Sequence, residues 1–126
     1  MTAAARTVSV SVARSPADVY AYAADPRNMP AWSFVQSIAP DGDGWTAVVP
    51  GATTRMTFTP ANEFGVLDHD VELPDGRVVH VPMRVVANGA GSEVLFTVLA
   101  GPDVDLDADV ATVLADLTRL KRILEG

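Results

Sequence analysis

The chain has 126 residues, 48% hydrophobic and 20% charged, a composition that suits a globular domain burying about two-thirds of its unfolded surface and excludes wholesale disorder. Sixteen acidic residues against nine basic ones leave a net charge of −7, so nucleic acid and anionic membranes are poor partners. Cysteine is absent, which removes disulfides, thiolate metal sites and cysteine nucleophiles.

Met1 to Arg6 lacks the basic-then-apolar pattern of a signal peptide, and no window approaches the roughly 18 uninterrupted apolar residues of a membrane span. The expectation is one cytoplasmic domain over residues 1–126. Thr7 to Ala13 alternates, with Val8, Val10 and Val12 on one face, and reads as the first strand. Ser15-Pro16-Ala17-Asp18 then supplies an N-cap, a proline for the first turn and a carboxylate for the helix dipole. That helix runs to about Ala24. Asp25-Pro26 ends it and starts a second short turn through Met29.

Strands are predicted over 33–39, 44–49, 53–59, 64–73, 77–87 and 93–99, joined by turns rich in proline, glycine, asparagine and aspartate. From Val110 the apolar period is helical, with Val113, Leu114, Leu117, Leu120 and Leu124 on the same stripe. The acidic start and basic end of this last helix suit its macrodipole.

In Leu73-Pro74-Asp75-Gly76-Arg77, proline fits the first central position of a type I turn and glycine the left-handed bulge after it. The three-residue loop sets Leu67, His69 and Val71 against Met83, Val81 and Val79, and Asp68, Asp70 and Glu72 against Pro82, His80 and Val78. A loop one residue shorter would oppose apolar rows to charged ones, so the hydrophobic pattern selects the bulged turn.

The order strand, helix, short helix, antiparallel strands and long helix is that of the helix-grip fold. Val8 to Val12, Ser15 to Tyr20, Ala24 to Trp32 and Asp116 to Glu125 resemble the polyketide cyclase/dehydrase branch of the START-related SRPBCC superfamily, over nearly the whole chain. The resemblance implies an α+β fold, with a curved antiparallel sheet of about seven strands wrapped around the C-terminal helix and a largely apolar cavity between them. Such a cavity takes a hydrophobic small molecule. Four Phe, two Trp and two Tyr leave room inside, but the chain is short, so the cavity is expected to be small or nearly closed. The long glycine-rich loop of the plant allergen relatives is missing; Asp41-Gly42-Asp43-Gly44 is a tight turn.

His69 falls between Leu67 and Val71 on the inward face of the hairpin. Three readings stand for it: a core histidine satisfied by a neighbour or water, a group that binds a ligand's hydroxyl or carbonyl, or the proton-transfer group of a cyclase-, aromatase- or isomerase-like reaction. The other expected cavity residues are Trp32, Phe34, Gln36, Met56, Phe58, Val71, Val81, Met83, Phe96, Val113 and Leu117. By the resemblance Trp32 corresponds to an aromatic at the cavity entrance; as a plain core residue it plugs that end.

His80 and Asp70 read as a solvated cross-strand pair on the outer face, and Asp68 and Glu72 as exposed carboxylates beside them. Arg55 and Arg84 have the parity of exposed residues. Two histidines on opposite faces make no zinc site, and no metal or cofactor is expected. No nucleophile elbow, phosphate loop or nucleotide fingerprint occurs. With no catalytic constellation in view, the resemblance implies binding of a lipid- or polyketide-like molecule, by a monomer or homodimer. Catalysis through His69, or a partner-binding module with a vestigial cavity, are the alternatives.

Overall fold

A computed structural model describes residues 1–126. Strand β1 (Ala4–Val12) is followed by α1 (Pro16–Ala23), a 3-10 turn (Pro26–Asn28) and α2 (Met29–Trp32). Seven strands come next: β2 (Ser37–Asp41), β3 (Gly44–Val49), β4 (Ala52–Phe58), β5 (His69–Glu72), β6 (Val78–Val81), β7 (Met83–Asn88) and β8 (Gly91–Ala100). Helix α3 (Leu106–Glu125) closes the chain. The predicted caps form: Ser15 accepts from the Asp18 amide at 3.2 Å, and Asp25 accepts from Arg27 at 3.0 Å.

The architecture is the α+β helix grip, with eight antiparallel strands in two sheets where about seven in one had been expected. One sheet has the order β1-β8-β7 and the other β2-β3-β4-β5-β6. Pro82 is the reason for the division. The predicted strand 77–87 breaks there into β6 and β7, because proline has no amide hydrogen to give a ladder. β7 stays on β8, whereas β6 stays on β5.

The hairpin register holds, pairing Asp70 with His80 and His69 with Val81. The turn closes as a bulge, with Gly76 at φ 87° and the Leu73 amide donating to the Arg77 carbonyl at 2.8 Å. The same register continues past the break, where Leu67 donates to Met83 and Val85 to Gly65, both at 2.9 Å. These bonds stitch the two sheets together. Gly65 permits the approach: at φ +72°, a Cβ there would lie 2.2 Å from the Val85 carbonyl oxygen.

Two further strand expectations are corrected. The segment 64–73 is regular only from His69, because 62–66 is shaped by Asn62, whose side chain bonds the amides of Phe64 and Val66 and the carbonyls of Pro60 and Val66. The segment 33–39 becomes strand only at Ser37. Ser33 instead bonds the Met29 carbonyl and the Val35 amide, turning the chain off α2.

The core lies between the sheets' inner faces and α3. Val19, Ala47, Val94, Leu117 and Leu120 are fully buried, and Met56, Val85 and Leu124 pack with them. α3 presents Val110, Leu117, Leu120 and Leu124 inward, while Leu114 is exposed at the margin of the stripe. No helix is long and apolar enough to cross a membrane.

Candidate functional site

Several hollows surround the grip, and two of them take in most of the expected cavity residues. The inner pocket lies under α1 and α2 and is bounded by Tyr20, Met29, Trp32, Phe58, Leu67, His69 and Met83. It offers the centre of a water molecule about 20 Å³, close to one occupant. The outer groove opens where β6 leaves β8. Val79, His80 and Val81 form one bank, Thr97, Val98 and Leu99 the other, with Phe34, Phe96 and Val113 beneath. The last bond between the banks runs from the Thr97 amide to the Pro82 carbonyl at 2.9 Å. Beyond it the space measures about 350 Å³.

His69 sits at the heart of this region, 7% exposed. Its ring is 5.3 Å from Phe58 and 6.4 Å, edge-on, from Phe96. Nδ1 lies 3.0 Å from the Leu67 carbonyl. A carbonyl only accepts, so Nδ1 carries the proton and Nε2 presents a lone pair. Burial lowers the imidazole pKa, against the opposing pulls of the Leu67 bond and the charges of Asp68 and Asp70. The ring is thereby favoured neutral.

Trp32, 3% exposed, lines the same pocket, and its Nε1 is buried with no hydrogen-bond partner. The backbone around it is tied to α3. Arg119 Nε donates to the Trp32 carbonyl at 3.2 Å, and Asp116 accepts from the Phe34 amide at 3.4 Å while pairing with Arg119. The Asp116 side chain is only 7% exposed. Burial raises its pKa, and Arg119 acts in the opposite direction. Asp116 and Arg119 thus hold the turn that carries one residue of the inner pocket and one of the groove. Helical periodicity did not flag them; a carboxylate among the apolar positions of an amphipathic helix, three residues before an arginine, is the signal that could have.

The expected cavity residues divide between these spaces. Trp32, Phe58, Leu67, His69 and Met83 line the inner pocket, and Phe34, Val81, Phe96 and Val113 the groove. Met56 and Leu117 are fully packed in the core, with Val71 partly buried against it. Gln36 is exposed, and Val35 is buried in its place, because 33–36 is not a strand and period-two alternation does not apply. Phe34 is 47% exposed at the groove.

On the outer face His80 Nδ1 and Asp70 lie 2.7 Å apart, both half-exposed. Asp68 is less exposed than expected. It accepts from the Met83 amide at 2.9 Å and from Arg84 at 2.9 and 3.0 Å, and the Arg84 bond leads the causes lowering its pKa. Asp68 thereby occupies the donor just past Pro82. Arg55 pairs with Asp43 at 2.7 Å. No three histidine or carboxylate side chains converge as a metal cage requires.

The fold has close structural relatives of low sequence identity. XoxI from Bacillus cereus superposes with a TM-score of 0.78 at 14% identity, over 96% of this chain and 95% of that one. The Aha1 dimer protein of Colwellia psychrerythraea gives 0.76 at 16%, over 97% and 96%. DynU16, from the dynemicin biosynthetic locus, gives 0.76 at 18%, over 97% of this chain and 47% of its own. No curated protein matches by sequence. Residues 4–125 match the family described as polyketide cyclase / dehydrase and lipid transport, and the chain belongs to that family, within the SRPBCC superfamily whose helix grip it adopts.

Proposed function

We propose that the protein binds an apolar small molecule, lipid- or polyketide-like, between its sheets and α3, by way of the groove between β6 and β8. The groove itself carries this reading. Its volume of about 350 Å³ falls in the range of small-molecule sites, roughly 300–1,000 Å³. Phe34, Val79, Val81, Phe96, Val98 and Val113 make its lining mostly apolar, so transfer of a ligand's apolar surface from water supplies the affinity, at about 25 cal/mol per Å². Family membership supports the ligand class. Phe96 forms the wall between groove and His69, so a ligand that displaces its ring reaches the inner pocket.

N-phenyl-1-naphthylamine, an uncharged dye that brightens in apolar surroundings, is expected to bind the native protein. Val113→Trp projects an indole into the groove from a partly buried position on α3 and should weaken the dye about tenfold or more. Equal affinity in a folded variant overturns the assignment of the groove.

Proton-transfer catalysis at the same site is the second reading, favoured by the buried, neutral His69 with its free Nε2 lone pair. It predicts that His69→Gln lowers turnover of a bound polyketide-like substrate by about 10²–10⁴ with dye affinity unchanged. Unchanged turnover would exclude His69 as the base.

A further inference from the structure

The register of the sheet runs on across the groove. Met83 pairs with Phe96, and the Thr97 amide donates to the Pro82 carbonyl at 2.9 Å, so each step back from Pro82 along β6 is matched by a step on from Thr97 along β8. By that rule Val81 meets Val98, His80 meets Leu99 and Val79 meets Ala100. The faces agree. Val81, Val98 and Ala100 are buried and Val79 partly buried on the inner side, whereas His80 and Leu99 are both exposed on the outer one.

Backbone direction agrees as well. In an antiparallel ladder, successive residues turn their N–H and C=O to opposite edges of the strand. Because Thr97 donates to Pro82, Leu99 turns its N–H and C=O to the groove. On β6 the bond between Leu73 and Arg77 assigns the odd-numbered residues to β5, and so aims the N–H and C=O of His80 at β8. His80 and Leu99 are therefore the next rung, with donors and acceptors in matching places. β6 runs beside β8, yet the two strands share no ladder. Pro82 accounts for the interruption, since without an N–H it makes only half a rung with Thr97.

We propose that the groove is a gap in the sheet that opens and closes: when it is empty, β6 zips onto β8 through paired hydrogen bonds between His80 and Leu99, and a bound ligand holds the strands apart. This rests on the ligand-binding reading above and states what regulates that site. The apolar lining drives closure of an empty groove, because Val79, Val81 and Val98 leave water by meeting their opposite bank. The half rung at Pro82 and Thr97 is the fixed end from which the zip proceeds. A ligand supplies the same apolar contact from within, so filling and zipping are alternatives, and the closed fraction lowers the apparent affinity in proportion.

The chain has no cysteine, so an introduced disulfide reports on closure. His80→Cys combined with Leu99→Cys puts thiols on opposed residues of a hydrogen-bonded pair, whose Cα atoms in a closed ladder lie about 5.5 Å apart, within reach of a disulfide. Mild oxidation should form this bond within one chain and weaken N-phenyl-1-naphthylamine about tenfold or more, and reduction should restore the affinity. In the unaltered protein, the His80 and Leu99 amides should exchange with deuterium slowly when free and about tenfold faster when saturated with dye, the reverse of shielding by a ligand. The Thr97 amide, bonded in both states, is the reference. Closure is overturned if the disulfide does not form, if the oxidised variant binds the dye as the reduced one does, or if the dye leaves exchange at His80 and Leu99 unchanged or slows it; dye binding by the native protein then keeps the groove reading in place. If the dye binds neither the native protein nor the reduced variant, both fall.

Discussion

The buried imidazole of His69 links ligand chemistry to stability. Burial lowers its pKa despite the Leu67 carbonyl and the two nearby aspartates, whereas the unfolded chain titrates near its ordinary value of about 6.5. Between those values the unfolded state binds a proton that the folded state refuses. Stability from this group is therefore complete above about pH 6.5 and lost as the pH falls through that value toward the folded one. His69→Leu should flatten the fall in urea stability between about pH 7 and 5; an unchanged slope would show that other groups carry it. Asp68, with its pKa lowered by Arg84, loses its own contribution in the same direction but only below the ordinary carboxylate range. His69 and Trp32 were legible as single residues because a strand parity and a short motif marked them. Gln36 was misplaced because its neighbours obey a turn and not a strand.

The decisive joints between elements are polar. Pro82 splits one long strand and so creates both the groove and the two-sheet arrangement. At the other end of the site, Asp116 and Arg119 fasten the turn after α2 to α3. Replacing Asp116 by Ala leaves the Phe34 amide without its acceptor and Arg119 without its partner. Arg119 is 44% exposed and water can solvate it, so the expected loss is about 1–2 kcal/mol, read as a lower urea midpoint with unchanged m-value. Loss of the ordered Phe34 should also weaken the dye. A variant with native midpoint and native dye affinity would show that the turn holds without this pair. Asp116 has the opposite pH sign to His69. Its raised pKa means that the folded state binds the proton more readily, so its contribution favours folding as the pH falls toward about 4 and is lost as the pH rises through its folded value.

Over the whole molecule, the order of elements, the caps, the bulged hairpin and the helical stripe of α3 were readable in the chain because each is set by neighbours within a few residues. Side-chain alternation, a proline at a first turn and a glycine at positive φ need no distant partner. The family likeness was readable for the same reason, being carried by contiguous blocks at either end. Distant contacts decided the rest. Nothing local told that Pro82 would let β6 part from β8, that Asp116 would be buried under the turn after Trp32, or that the Trp32 Nε1 would be buried without a partner. Ladder gaps, buried ion pairs and cavities arise where segments far apart in the chain are packed together, and only that packing fixes which polar groups find partners and which do not.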